Sequence, residues 1–210
     1  MQKETNHQLT MQKQVEHILV IKRDHFFSIT PAWTGLKEVS FEQYIGLINE
    51  KKEFLPRPTM EQDLTYKQII PYLIFEHDNK YFLMQRSATA SESRLKNKYS
   101  LGIGGHIRQE DMQEQSIFDW AKREFNEEVN YTGAVEIEPL GILNDDSDAV
   151  GQVHIGFVLL LKGNSSNISV KSELKHGALK SLQECIDSID KMETWSRMVI
   201  EFLASKQLDL

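Results

Sequence analysis

GGHIRQEDMQEQSIFDWAKREFNEEVN, residues 104–130, is the stretch from which this chain is best read. On a helical wheel of about 100° per residue, Ile117, Phe118, Ala121, Phe125 and Val129 share one arc, which predicts a core-facing stripe on a helix from about Met112 to Val129. Glu124, Glu127 and Glu128 occupy the neighbouring arc, at i, i+3 and i+4. Like charges at those spacings repel one another, and Arg123, one turn before Glu127, offsets only part of the repulsion. Hard cations such as Mg2+ and Mn2+ prefer oxygen ligands, and a carboxylate cluster on a rigid helix suits them. Read alone, a Glu-rich face is a solvated surface. The glycines before it alter the balance. Gly102, Gly104 and Gly105 let the backbone turn sharply and approach closely. A glycine turn feeding a helix can offer carbonyls to a metal and amides to phosphate. It is not a Walker loop, since no Gly-Lys-Ser/Thr follows, and Ile107 stands where a dinucleotide fingerprint needs its third glycine.

Outward from this stretch, the chain divides. Residues 1–14 read as a mobile polar tail with no apolar core, and therefore not as a secretory signal. Residues 15–63 read as a small lead-in subdomain. "HILVIKRDHFF" is a strand with its turn, "SFEQYIGLINEKKEF" a helix capped by Ser40, and the two prolines of "LPRPTMEQDL" a connection. The main domain, 64–210, opens with two strands around a His-Asp-Asn-Lys turn. "YSLGIGGHI" is a short strand running into the glycines. "AVEIEPLGILND" and "VGQVHIGFVLLLK" are extended and flank the acidic turn at Asp145, Asp146 and Asp148. A short strand, a Ser181-capped helix and a last amphipathic helix near Met192–Ala204 complete it. Strands and helices neither alternate strictly nor segregate, so a mixed sheet flanked by helices is the expected class.

Composition excludes several functions. A net charge of -7 argues against a general nucleic-acid binder but not against a small phosphorylated substrate neutralised by metal ions. The longest apolar run, residues 155–161, is far short of the ~20 residues of a membrane helix. One cysteine, Cys185, cannot form an internal disulfide. This points to a reducing, cytoplasmic setting, with Cys185 itself a small buried hydrophobe.

These features together resemble the Nudix hydrolase family, whose box reads Gly, five residues, Glu, seven residues, then Arg-Glu-aliphatic-x-Glu-Glu-x-Gly-aliphatic. Gly105 matches the opening glycine, and Arg123, Glu124, Phe125, Glu127 and Glu128 match the core. A hairpin ending in "LMQRS" precedes the box, and the phrases "YKQIIPY", "SESRL", "YSLGIGGHI" and "VHIGFV" are similar to a bacterial subgroup of predicted phosphoesterases. The resemblance covers about residues 60–205. Three departures stand out. Gly105 and Arg123 lie 18 positions apart, four more than the family spacing; counting back from Arg123 lands on Gln115 instead of Glu; and Asn130 replaces the closing glycine, a common substitute in a left-handed cap.

The resemblance implies an α/β fold of the α+β kind, an α/β/α sandwich with a mixed sheet and a small N-terminal extension. It implies hydrolysis of phosphoanhydride bonds in a nucleoside diphosphate linked to another group, with Mg2+ or Mn2+ held by the Gly104 carbonyl, Glu124, Glu127, Glu128 and a later acid, Glu173. Glu128 or Glu173 would be the base and Arg123 the clamp. Glu114, or Glu110, would stand in for the acid missing at Gln115. Arg86, Arg94 and His106 are the candidates to meet substrate phosphates. A homodimer is an assembly the resemblance leaves open. Asp145 and Asp146 rival Glu173, although an acidic turn is the simpler reading. His154, Trp33, Phe26, Phe27 and Trp195 read first as core or rim residues. A catalytically silent sensor of a nucleotide derivative is the main alternative. An isomerase of an isoprenoid diphosphate ranks below it, since that chemistry needs a cysteine near the box.

Overall fold

The computed structural model describes residues 15–86, 98–113, 116–171 and 174–208. The tail at 1–14, Arg94, Glu114, Gln115 and Glu173 lie outside them, as does the side chain of Arg86. In chain order, strand β1 (His17–Lys22) leads into a single helical turn, α1 (Arg23–Phe26), then β2 (Gly35–Lys37) and helix α2 (Phe41–Lys51). Ser40 caps α2 by accepting from the Gln43 amide at 3.3 Å, as the sequence predicts. Strand β3 (Glu53–Pro56) and the turn α3 (Arg57–Met60) close the lead-in.

Strands β4 (Tyr66–His77) and β5 (Lys80–Arg86) form the expected hairpin. Its two turn residues, Asp78 and Asn79, sit at φ 50° and 58°, a conformation that short polar side chains tolerate. Then follow β6 (Tyr99–Ser100), β7 (Gly102–Gly104), α4 (Ile117–Glu128), β8 (Val129–Tyr131) and β9 (Val135–Asn144). Next come α5 (Ala149–Val153), β10 (His154–Gly163), β11 (Ile168–Val170), β12 (Leu174–Ser181), α6 (Leu182–Ile186) and α7 (Thr194–Leu208).

Two boundaries differ from the sequence reading. The helix does not begin near Met112: Gln109–Gln113 is a 3-10 turn, and α4 starts after Ser116, whose backbone is extended and whose hydroxyl accepts from the Asp119 amide. "VGQV" is helical instead of extended, because Asp148 caps α5 by accepting from the Val150 and Gly151 amides.

The sheet runs β12-β5-β4-β10-β9-β2. β4 lies at its centre, parallel to β10 along one edge. Its other edge is shared in succession by β1, β7 and β5, all antiparallel. Residues Lys67–Phe75 are all buried, the mark of a strand covered on both faces. Alternate side chains feed two cores. Ile69, Leu73, Phe157 and Leu159 meet α2 and α4; Tyr72, Ile74, Val158 and Leu160 meet α6 and α7. The molecule is thus an α/β/α sandwich with a mixed sheet. No helix among the described residues is long and apolar enough to cross a membrane.

The second core holds a buried polar knot. Glu193 Oε1 accepts from the hydroxyls of Tyr72 (2.8 Å), Ser100 (2.6 Å) and Ser196 (3.0 Å). The Gly102 amide donates to Tyr72 Oη and the Leu101 amide to Ser196 Oγ. The start of α7 is thereby tied to the strand that delivers the glycines.

Candidate metal centre on helix α4

β7 pairs with the middle of β4, Tyr72 opposite Gly104, and so holds the glycine turn beside α4. The helix presents Trp120, Ala121 and Phe125 inward; Ile117 and Phe118 are only partly buried, so Trp120 belongs to the core stripe that the wheel assigned to them. On the neighbouring flank Glu124 lies against the turn, and Glu127 and Glu128 are near enough to act on its charge. The approach is close enough that a Cβ on Gly105 would stand 2.5 Å from Glu124 Oε1. Burial, then the charges of Glu127 and Glu128, push the Glu124 carboxyl up to about 7, against the pull of Arg123 and Arg108.

Arg123 reaches two carboxylates. Its Nη1 donates to Glu127 Oε1 at 2.7 Å, and its Nη2 lies 3.1 Å from Asp111 Oδ1. Asp111, in the 3-10 turn, is almost wholly covered. Its Oδ2 accepts from the Arg108 amide at 2.9 Å and the Trp120 indole at 3.3 Å. Sequence reasoning passed this residue over because it counted back from Arg123. Counting forward from Gly105, past five residues, arrives at Asp111. Read that way the box keeps an acid at its first acidic position, and the four extra residues fall between that acid and α4.

His106 turns toward the start of β4 and β10. Its Nε2 lies 2.7 Å from Gln68 Oε1 and 3.2 Å from His154 Nε2. Burial, then the charges of Arg57 and His154, push its pKa down to about 3, so it brings no positive charge to a phosphate. Asp146 is occupied: it accepts from Arg23 Nη1 at 3.0 Å and from the fully buried Lys67 Nζ at 2.9 Å. Asp145 accepts its own loop's Ser147 amide. Trp33 donates to the Gly35 and Ile142 carbonyls, Phe26 is fully buried, and Trp195 packs on Gly156 and Tyr72. The Cys185 thiol is buried among the α6–α7 side chains, and burial raises its pKa to about 11. Arg94, Glu114 and Glu173, with the side chain of Arg86, lie outside the described residues.

No family profile matches the chain. It is 32% identical over 206 residues to Protein YmaB of Bacillus subtilis, an alignment covering 92% of this chain and all of that one. The solved structure of Tm1382, assigned as a Nudix hydrolase, is 31% identical and superposes with a TM-score of 0.77 over 90% of this chain and 98% of its own. The chain belongs to the Nudix hydrolase family. The Nudix domain of Shewanella oneidensis NrtR, solved with ADP ribose, shares the fold at 16% identity, with a TM-score of 0.51 over 67% of this chain and 88% of that one. As a Nudix hydrolase the protein acts on pyrophosphate bonds, and the box carboxylates on α4 are where that chemistry is to be sought.

Proposed function

We propose that the protein hydrolyses a phosphoanhydride bond in a nucleoside diphosphate joined to a second group, with Mg2+ or Mn2+ held at α4. One observation carries this reading: Glu124 is packed against the glycine turn beside two further carboxylates, and its own carboxyl is raised to about 7. Acids crowded in this way favour a cation among them. The donors are carboxylate oxygens and a backbone carbonyl, the set that Mg2+ and Mn2+ take. Such an ion, when bound, neutralises the diphosphate and lowers the pKa of the attacking water.

The chain's own residues have distinct parts in this scheme. Glu124, Glu127, Glu128 and the Gly104 carbonyl hold the cation, with Glu173 as the later acid. Arg123, anchored by Asp111, fixes the Glu127 carboxylate. Glu128 or Glu173 accepts the proton of the attacking water. Arg86 and Arg94 supply positive charge to the substrate phosphates. Glu114 supports the box. With a net charge of -7 the protein repels a free diphosphate, so cations are needed for approach as well as for chemistry. The NrtR domain was solved with ADP ribose, which supports a nucleotide derivative as the substrate class. A single buried cysteine suits a reducing compartment, and the cytoplasm is the proposed location.

The test is release of phosphate or nucleoside monophosphate from dinucleotides, nucleotide sugars and nucleoside triphosphates, with Mg2+ or Mn2+ and with a chelator. Metal-dependent turnover that Glu127→Gln reduces at least ~100-fold is expected. Tight binding of one compound with no turnover of any would make the protein a sensor instead.

A further inference from the structure

We propose that His106, His154 and Glu61 form a second metal site, built for a d-block divalent cation such as Zn2+ and distinct from the carboxylates of α4. Each residue offers one ligand atom, and the three atoms lie within 4.8 Å of one another. They come from three places: Glu61 follows α3, His106 follows the glycine turn, and His154 opens β10.

The two imidazoles meet through Nε2 at 3.2 Å. Two nitrogens each about 2.0–2.1 Å from a tetrahedral zinc stand about 3.3 Å apart, so the pair is already at bonding separation for a shared ion. The His154 ring is held from behind. Its Nδ1 lies 2.7 Å from the Val150 carbonyl, which keeps the proton on Nδ1 and turns the Nε2 lone pair toward His106. Metal-binding imidazoles are oriented by such an outer hydrogen bond.

A further oxygen is in place. Gln68 Nε2 donates to the Met60 carbonyl at 3.0 Å, so Gln68 Oε1 accepts the His106 Nε2 proton at 2.7 Å, a proton the ion would displace. Nitrogen donors with one carboxylate select Zn2+ and its neighbours over Mg2+. Arg57 is the nearby cation. It pairs with Glu16 at 3.0 Å and with Glu61 at 3.1 Å, so the ion would share the Glu61 carboxylate with it. Glu61 is exposed, and an ion reaches the histidines past it. Bound there, the ion would fasten the lead-in segment to the residue next to the glycine turn.

The experiment uses the full-length protein, freed of metal and titrated with Zn2+, or with Co2+ as a coloured substitute. With the α4 carboxylates kept saturated by Mg2+, one equivalent should bind, and Co2+ should give the visible bands of a nitrogen-ligated ion. In 15N spectra of the histidine rings, the Nε2 signals of His106 and His154 should shift while His154 Nδ1 stays protonated. His106→Gln and Glu61→Gln should each weaken binding at least tenfold, and Glu127→Gln should leave it unchanged. The ring spectra of the wild-type protein decide the matter even if His106→Gln does not fold. Unshifted Nε2 signals at saturating Zn2+ overturn the proposal. So does binding that survives His106→Gln and is lost in Glu127→Gln.

Discussion

At the scale of single residues, Asp111 matters most for what the sequence concealed. It holds one side of the Arg123 guanidinium while Glu127 holds the other. Asp111→Asn removes that anchor and leaves the helix acids intact. Supporting residues of this kind cost about 10–100-fold when removed. We expect a loss of that size in turnover and a higher Mg2+ requirement, with Asp111→Glu retaining more activity than Asp111→Asn. Gly105→Ala makes a sharper probe. The new methyl meets the movable end of Glu124, not backbone, so the fold should lose less than about 1 kcal/mol while Glu124 is displaced. Melting should stay close to wild type, and metal-dependent turnover should fall. Asp146→Asn tests a different role. Lys67 is fully buried, and Asp146 is its partner, so removing the charge should cost about 3 kcal/mol by chemical denaturation. Burial opposes ionisation of Asp146, but hydrogen bonds from Arg23, Lys67 and Asn144 prevail and hold its carboxyl well below the usual range. A carboxylate depressed in the folded state stabilises above its unfolded value, near pH 4, and the benefit is lost as pH falls further. Acid should therefore lower the melting temperature of the wild type more steeply than that of Asp146→Asn.

At the scale of elements, α4 should announce its cation through pH. The Glu124 carboxyl, raised to about 7 without metal, must lose its proton to become a ligand. Affinity for Mn2+ should rise between pH 6 and 8, and binding near pH 7 should release protons, measured by calorimetry in buffers of different ionisation heat. Binding that is independent of pH over that range would remove Glu124 from the metal. In the metal-free protein the sign for stability is the reverse of that for Asp146: a raised carboxyl costs stability as pH climbs from the ordinary carboxylate range toward 7. The helix also shows what could be read in advance. Its charged flank and the turn before it were legible because both repeat at the helical period or use residues with one conformational purpose. The start of α4 was not, because Ser116 as a cap competes with a polar run that carries no period. Asp111 was hidden for a related reason. An insertion moves the count without moving the geometry, and only one of the two ends of the motif stays in register. The joining of His106 to His154, 48 residues apart, needs the parallel pairing of β4 with β10, which no local pattern encodes.

At the scale of the whole molecule, the lead-in is woven into the sheet. β1 lies between β3 and the start of β4, and Ile18, Val20 and Ile21 are fully buried. Deleting residues 15–56 strips that edge and exposes the Lys67–Gln68 end of β4. The expected outcome is a chain that loses its cooperative thermal transition, which calorimetry of the truncated protein would check. The opposite end of the chain carries a different consequence. Tyr72 and Glu193 are 121 residues apart, yet through them α7 grips the strand that offers Gly104. On a ribosome, α4 and the glycines emerge long before Glu193 does. The box residues of the nascent protein are therefore made while the strand that leads to Gly104 still lacks its Glu193 anchor.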